Sequence, residues 1–348
     1  SNVVIGKTAG QSINHDSSVQ NVIIGVGAMS GGTAQQDKNV AVGYFALGSI
    51  GNNAHTGSVA VGANALGACT SGIRNTAVGY NALSACNNNH YNTAVGWNAL
   101  YNYDLEHSNT AIGHEAMGGS GASNNCVAIG SNALDDATTS NADGAIAIGV
   151  SALGALTSGA RNLAIGYQAL DALTTGSHNT AIGYQALSAQ QSDRAGATAV
   201  GSLALYQNAP AGTTDYSAAF GQEAGSNQTT GYQNTFLGGQ TSGAGADAIN
   251  QIVIGYHTSG IADNTAVIGN HLITDVYMGD LTNSSTGATV HCEGVQFPAS
   301  QVTNGGANVL DDYEEGDHTV SGTDDSGTFT LQSGGDTLTY TKIGRQVT

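Results

Sequence analysis

The chain has 348 residues, of which 51 are glycine, only 2 are proline and 9% are charged. Globular enzymes carry about a quarter charged residues, so this composition argues against a single large core and favours thin, stacked β-layers of small and β-branched residues. The formal net charge of −18 excludes nucleic acid and anionic membranes as expected partners, because neither would meet a basic face.

A repeated unit close to N-T-A-V/I-G-Y-Q/N-A-L runs through residues 1–280. Its glycine, called position 0 below, recurs every 14 to 20 residues. Residues before it take negative position numbers and residues after it take positive ones. The repeat glycines are Gly6, Gly25, Gly43, Gly62, Gly79, Gly96, Gly113, Gly130, Gly149, Gly166, Gly183, Gly201, Gly221, Gly238, Gly255 and Gly269.

The positions before the glycine alternate in chemistry. Position −1 is large and apolar in all sixteen copies, position −2 is Ala in eleven, and position −4 is Asn in nine. A period of two predicts a β-strand with the bulky −3 and −1 residues on one face. Glycine then permits a turn, and a second short strand is expected through the A-L pair at +3 and +4. Representative columns are Asn75, Asn92 and Asn109 at −4, and Ala77, Ala94 and Ala111 at −2.

One unit cannot bury its own apolar face, so the units must stack. The sequence therefore predicts an all-β fold, a β-solenoid or β-roll of about sixteen coils. Asn amides are expected to hydrogen-bond one another along a ladder. The uniformly small column at −2 suggests that another backbone approaches closely. We expect a homotrimer with these Ala columns near its axis, and a monomeric narrow solenoid with Ala inside is the alternative.

The repeat pattern fades after Gly269. We predict a solenoid shaft at 1–280, a connector at 281–317 and the start of a β-rich distal domain at 318–348, where β-formers alternate with Gly and Asp turns. The chain begins without Met, inside a repeat, which suggests a processed or partial chain.

Binding residues are expected in the loops, because coil interiors are committed to packing. Aromatic faces suit stacking on sugar rings, and the loop region at 90–107 is the richest in them. An alternative is a stacked aromatic strip, since Tyr44, Tyr80, Tyr167 and Tyr184 share position +1 with the only tryptophan. The loop at 206–216 is a second candidate. The predicted glycan-binding residues are His90, Tyr91, Trp97, Tyr101, Tyr103 and His107.

No catalytic, cofactor-binding or metal-binding residues are predicted. The chain lacks CxxC, calcium-loop, G-x-S-x-G and H-E-x-x-H motifs, and the pairs Asp135–Asp136 and Asp311–Asp312 are expected in solvated turns. No apolar run is long enough for membrane insertion. Cys69 and Cys86 should stack above one another as free thiols, with a disulfide left open. Cys126 takes the Asn position and is expected to be a buried small residue.

The stacked units, followed by V-x-F-P-A-S-Q at 295–301 and A-N-V-L-D-D-Y-E-E-G at 307–316, resemble bacteriophage tail-fibre proteins. The core at 58–62, S-V-A-V-G, is also similar to the head of trimeric autotransporter adhesins. The resemblance implies a trimeric virion fibre that contacts other tail proteins and a bacterial cell-surface glycan or protein. Alternatives are a bacterial adhesin or surface filament, and a polysaccharide-degrading tailspike.

Overall fold

The computed structural model describes residues 1–273, apart from some loop residues, and five strands between residues 313 and 347. The residues outside this description in the first range are 12, 14–17, 33, 52–54, 86, 103–106, 120–122, 137–141, 190–194 and 208–214. The chain divides into two compact units, Ser1–Asp275 and Val276–Thr348. The finer boundaries at 280 and 317 stay predictions.

The regular structure of the described residues is entirely β-strand, as predicted. Strands of two or three residues follow one another through the first unit. They are β1 (Val3–Ile5), β2 (Val22–Ile24), β3 (Gln36–Asp37), β4 (Val40–Val42), β5 (His55–Thr56), β6 (Val59–Val61), β7 (Thr76–Val78), β8 (Thr93–Val95), β9 (Thr110–Ile112), β10 (Val127–Ile129), β11 (Ile146–Ile148), β12 (Leu163–Ile165), β13 (Thr180–Ile182), β14 (Thr198–Val200), β15 (Ala218–Phe220), β16 (Thr235–Leu237), β17 (Ile252–Ile254) and β18 (Ala266–Ile268).

Sixteen of these strands form one parallel sheet in chain order, and β3 pairs separately with β5. Each strand of the large sheet lies immediately before a repeat glycine and pairs in register with the next. Ala77 of β7 thus lies beside Ala94 of β8, which lies beside Ala111 of β9. This register confirms the predicted solenoid of about sixteen coils.

The alanine column at −2 lies inside the coil. Ala77, Ala94 and Ala111 are completely buried within a single chain, in the same core as the Ala residues at +3 and the Leu or Met residues at +4. The expectation that this column approaches the axis of a homotrimer is therefore wrong. The column is small because the coil is narrow, so that the −2 and +4 side chains of one chain share a thin core layer.

In one region of the core, a larger side chain at −2 is paired with a smaller residue at +4. Phe236 takes position −2, where most coils have Ala, and is completely buried. Gly225 takes position +4, where most coils have Leu, and a methyl group there would come within 2.6 Å of the Phe236 ring. The ring occupies space that a leucine at 225 would fill, which keeps the interior close-packed.

The segment after the glycine is a turn, so the expected second strand through +3 and +4 is wrong. Residues at +2 and +4 have positive φ, as at Asn81 (55°) and Leu83 (47°). The N–H of Asn81 donates to the Ala63 carbonyl of the preceding coil (3.0 Å), and the N–H of Leu83 donates to the Ala99 carbonyl of the following coil (2.9 Å). Because the two N–H groups point in opposite axial directions, the turn joins both neighbouring coils without strand geometry.

Glycine recurs at position 0 because the backbone there has a conformation that other residues avoid. Fifteen of the sixteen repeat glycines have φ between 127° and 143°. A methyl group on Gly113 would also overlap the carbonyl oxygen of Gly130 in the next coil. The torsion angle and the close axial approach of the backbones both require glycine.

The asparagine column at −4 forms a buried ladder between coils. The side-chain oxygen of Asn92 accepts the backbone N–H of Asn109 (2.8 Å), and that of Asn109 accepts the N–H of Cys126 (2.9 Å). The Asn109 amide nitrogen donates to the Ser123 carbonyl of the next coil (2.8 Å). The predicted ladder exists, but at these rungs its bonds run from amide to backbone rather than from amide to amide. It thereby satisfies backbone groups that lie just outside the strands.

Cys69 is disulfide-bonded, so the expected free thiol is wrong at this position. The axial spacing of coils, roughly 4.8 Å, already lies within the Cα separations of disulfides. Cys86 lies outside the described residues. Cys126 is buried and free, as predicted. Its Sγ lies 3.1 Å from the Ala142 carbonyl oxygen, and burial raises the pKa of the thiol to about 11.

The second unit contains antiparallel strands. They are β19 (Tyr313–Thr319), β20 (Thr323–Asp324), β21 (Gly327–Thr328), β22 (Thr337–Ile343) and β23 (Gln346–Val347). β22 pairs with both β19 and β23, and β20 pairs with β21. The second unit is thus built from antiparallel pairs, whereas the strands of the first unit pair in parallel.

Replacing Gly113 by Ala should destabilise the solenoid by about 3 kcal/mol or more, because backbone strain adds to a clash with backbone atoms. Gly144→Ala is the matched control. Gly144 has a φ of 70°, but the nearest atom to an added methyl is 3.9 Å away, so strain alone should cost about 1 kcal/mol. Thermal unfolding by circular dichroism measures both variants. Equal losses of stability in the two variants would show that the contact between Gly113 and the backbone of the next coil is unimportant.

Replacing Asn109 by Ala should cost about 3 kcal/mol, because it leaves a buried N–H and a buried carbonyl without partners. Asn109→Ser should cost about half as much, since a serine at this position can still accept the N–H. Ser58 does so for Asn75 (3.3 Å) and Ser217 for Asn234 (3.1 Å). Urea denaturation of the two variants tests the ladder, and a serine variant no better than the alanine variant would argue against it.

Candidate functional site

In-register stacking turns each outward position of the repeat into a column of side chains along the solenoid. Residues that are close in sequence therefore lie at different places around the coil, and their contacts run along its axis. Tyr103 lies outside the described residues. The other predicted site residues fall in four columns: His90 and His107 at −6, Tyr91 at −5, Trp97 at +1 and Tyr101 at +5.

His90 and His107 form a stacked pair, with ring centroids 5.0 Å apart and planes 10° from parallel. Nδ1 of His107 accepts the backbone N–H of His90, and Nδ1 of His90 accepts that of Ile73, both at 3.1 Å. These bonds require neutral rings with the proton on Nε2. Burial, with a smaller effect from His107, lowers the pKa of His90. The pair continues an axial ladder, since the N–H of His107 donates to Asn124 Oδ1 (2.8 Å).

Tyr91 lies beside this pair and is 53% exposed. Its ring meets His90 edge-on, with centroids 6.3 Å apart. The Arg74 guanidinium lies over the Tyr91 ring, 5.5 Å from the ring centroid. Its Nη1 donates to the Tyr91 hydroxyl oxygen at 2.7 Å. The structure therefore brings together His90, Tyr91, His107 and Arg74, a group that offers hydrogen bonds and one cation to a polar ligand.

Trp97 belongs to a different surface, the column at +1. Its indole is 43% exposed and stacks on His114, with centroids 4.7 Å apart and planes 13° from parallel. Tyr167 and Tyr184 stack in the same column at 5.5 Å. These rings form two stacked pairs in the aromatic strip of the alternative interpretation, with Ser131 and Val150 at +1 between the pairs. Since stacked neighbours cover each other's faces, the strip presents mainly ring edges to solvent, and sugar binding by Trp97 stays a prediction.

Tyr101 lines a shallow surface cleft that sequence analysis missed. The cleft is bounded at its other end by Phe45, and the residues between come from the intervening coils. Small and polar residues do not by themselves predict a binding cleft. The pattern that could have predicted it is the column at +5, where Gly48, Gly67 and Ser84 precede Tyr101. In the second candidate loop, residues 208–214 lie outside the described residues.

Asp135 is one of the acids singled out in the sequence, and its surroundings perturb its pKa. Burial raises its pKa, with further contributions from Glu115 and Asp136. The Asn132 amide donates to Asp135 Oδ2 at 2.9 Å and opposes that rise. Both residues of the pair lie in a turn, as expected from the sequence, and Asp136 is exposed, but Asp135 is half-buried. The Asp311–Asp312 pair lies outside the described residues.

Among the described residues, no group of three or more His, Cys, Asp or Glu side chains is arranged to hold a metal ion. The same part of the chain contains no helix with the length and hydropathy needed to cross a membrane. No family model, no curated protein and no solved structure matches the chain. Function must therefore be argued from the surfaces of the solenoid itself.

His55 is a buried histidine outside the predicted site. The side chain is completely buried, and neither ring nitrogen has good hydrogen-bond geometry to a partner among the described residues. Burial lowers the pKa of His55, and the nearby backbone of Thr70 and Gly72 only partly opposes this. The folded solenoid therefore favours neutral imidazole at this position.

The solenoid should lose stability as the pH falls below about 6.5, the unperturbed pKa of histidine. The folded-state pKa values of His55 and His90 are lowered. The contribution of these neutral rings to the free energy of unfolding is therefore complete above pH 6.5, and it is lost as the pH falls from there through the two folded-state pKa values. The raised pKa values of Asp135 and Asp171 act in the opposite direction.

The measurement is the melting temperature between pH 7.5 and pH 4.5 for the wild type, His55→Gln and His114→Gln. His55→Gln cannot titrate at that position and should show a shallower decline. His114→Gln replaces an exposed histidine and controls for the loss of an imidazole away from the buried position. Parallel declines in all three proteins would show that His55 does not contribute.

Proposed function

We propose a function for this chain from the outer face of its sixteen-stranded sheet, which is uncharged along its whole length and mostly apolar, with threonine at −3 in six copies. The residues at −3 and −1 point outward and are Val, Ile, Leu, Thr, Ala or Phe in every copy. Many are substantially exposed in the single chain, including Ile112 (39%), Phe220 (42%) and Leu237 (48%). Sixteen coils at about 4.8 Å and a width of about 7 Å give roughly 500 Å², which is near the upper limit for the largest apolar patch of a monomer.

In this proposal the chain forms the shaft of a homotrimeric phage tail fibre that presents a receptor-binding surface to the bacterial host. The outer apolar face carries the proposal, because packing three copies through it would remove its side chains from water. This replaces the Ala column, which is inside the coil, as the trimer interface. The resemblance of the repeats and of segments 295–301 and 307–316 to tail fibres supports the same function.

The remaining surface is suited to display. The columns at −6, −5, +1 and +5 lie outside the proposed interface and carry imidazole, phenol, indole and guanidinium groups. A trimer would present each column three times, so that weak contacts to a repetitive cell-surface glycan or protein would combine into firm attachment. The side chains of these columns project from a hydrogen-bonded sheet and its turns, and this rigid support limits the entropy lost on binding.

The mass in solution tests the trimer directly. Light scattering should give a mass near three chains of 34.7 kDa that persists in mild denaturant. The double variant Ile112→Lys with Ile129→Lys places two charges on the proposed interface and should give single chains with an unchanged β-sheet spectrum, because buried unpaired charges are strongly unfavourable.

The matched control is Ser108→Lys with Asn125→Lys. These residues occupy the exposed column at −5, where Lys38, Arg74 and Arg161 already carry positive charges. The control should remain trimeric. A wild type that runs as a monomer, or an interface variant that remains trimeric, would overturn the proposed assembly.

Adsorption to bacteria tests the biological role. The purified fibre should bind host cells and compete with phage adsorption, while capsule or lipopolysaccharide incubated with it keeps its length. Shortening of the polysaccharide would indicate a degrading tailspike instead. The genes on either side of the coding sequence distinguish a phage fibre, which would lie beside tail genes, from a bacterial adhesin with a membrane anchor.

A further inference from the structure

A surface cleft of about 280 Å³ crosses four successive coils near the amino-terminal end of the solenoid. One aromatic ring stands at each end, Phe45 and Tyr101. Four axial positions span roughly 14 Å at the usual strand spacing, so the cleft is long in the direction of the fibre axis. Its described lining residues are Phe45, Ser49, Asn64, Gly67, Ala68, Asn81, Ser84 and Tyr101.

The cleft exists because large side chains are missing from two neighbouring columns. The column at +5 is Gly48, Gly67 and Ser84 in three successive coils, and then Tyr101 forms a wall. In the column at +2, Phe45 is followed by three asparagines, of which the first two line the cleft. Small residues thus form the floor, and the two rings limit its length.

The floor and one wall are held in place by contacts within the solenoid. The N–H of Ser49 donates to the Gly67 carbonyl at 2.8 Å, and the N–H of Ala68 donates to the Ser84 carbonyl at 2.7 Å. The Phe45 ring lies edge-on to Tyr44, with centroids 4.6 Å apart. A ligand would therefore meet a preformed surface, which reduces the entropic cost of binding.

The polar groups of the cleft are amides and hydroxyls. Asn64 Nδ2 donates to Asn81 Oδ1 (3.2 Å), and Asn81 Nδ2 donates to Asn98 Oδ1 (3.3 Å). An amide group has two donor hydrogens and two acceptor lone pairs, so these bonds use half of the capacity of Asn81. Ser49 and Ser84 add hydroxyl groups. Donors and acceptors are therefore available side by side, as ligand hydroxyls require.

None of the described lining residues is charged, whereas the whole chain carries a formal charge of −18. The cleft offers no cation to an anionic ligand, and the surrounding charge would repel one. Rings at the ends with amides and hydroxyls between them match the apolar faces and hydroxyl edges of sugars.

We propose that this cleft binds a short stretch of neutral oligosaccharide, aligned with the fibre axis. The inference deepens the receptor-binding role proposed above and rests on it, since it names the ligand class and the residues of one receptor site. Phe45 and Tyr101 would stack on sugar rings, and Asn64 and Asn81 would select hydroxyl orientation.

The test is saturation-transfer NMR and titration calorimetry on the full chain. The probes are neutral tri- and tetrasaccharides of glucose, galactose, mannose and N-acetylglucosamine, with a hyaluronan tetrasaccharide as the anionic comparison. At least one neutral probe should bind, and hyaluronan should bind at least tenfold more weakly. Failure of the whole neutral panel, or preference for hyaluronan, would overturn the proposal.

Two variants locate the binding. Tyr101→Ala removes one wall, and Ala68→Phe fills the floor at an exposed position; each should weaken binding at least tenfold. Ala172→Phe is the matched control, because Ala172 holds the same +6 position as Ala68 in a coil outside the cleft, and it should bind as the wild type does. Melting curves establish that all three fold.

Cell adsorption separates this inference from the broader function. If the cleft variants lose oligosaccharide binding but the wild-type fibre does not adsorb to bacteria, the cleft stands and the receptor role falls. If the wild type adsorbs and both cleft variants bind the oligosaccharide normally, the receptor role stands and the cleft assignment is wrong.

Discussion

The axial hydrogen bond between the backbones of successive coils is the interaction on which the rest of this structure depends. The N–H of Gly96, for example, donates to the Val78 carbonyl of the preceding coil at 2.8 Å. A coil has too few residues to enclose a core of its own, so its apolar side chains are buried only when the next coil lies at backbone hydrogen-bonding distance. That distance leaves no room for a side chain at position 0 from Gly6 to Gly238, and together with the positive φ it explains the glycine there.

Backbone groups outside the strands need partners as well, and columns of polar side chains supply them. Asparagine at −4 does this from inside the coil, and position −6 does it at the surface, where His107, Asn124 and Asp143 each accept an N–H from the preceding coil. The same role can be filled by several residue types with an acceptor atom. Histidine fills this role through Nδ1 when the ring proton is on Nε2.

Stacking also explains how the surface acquires features. A residue type that recurs at one outward position becomes a strip, as with the large apolar residues at −1. An interruption in a column becomes a local feature, as with Tyr101, which follows three small residues at +5 and ends the cleft. Sequence neighbours such as Trp97 and Tyr101 therefore belong to different surfaces, and the residues of one cleft are separated by about one repeat length along the chain.

The periodic features of this protein could be predicted from its amino-acid order, because a repeat reports the same local constraint many times. The strand before each glycine, the number of coils and the burial of Cys126 follow from that alternation. The direction in which a uniform column points could not be predicted, since alanine suits a narrow interior and a close intermolecular contact equally well. Side-chain pattern also cannot reveal that +2 and +4 take positive φ, and this is why Leu83 and its equivalents lie in a turn rather than a strand. The cleft between Phe45 and Tyr101 depends on which residues of four different coils meet, and axial register brings them together only when the chain has folded.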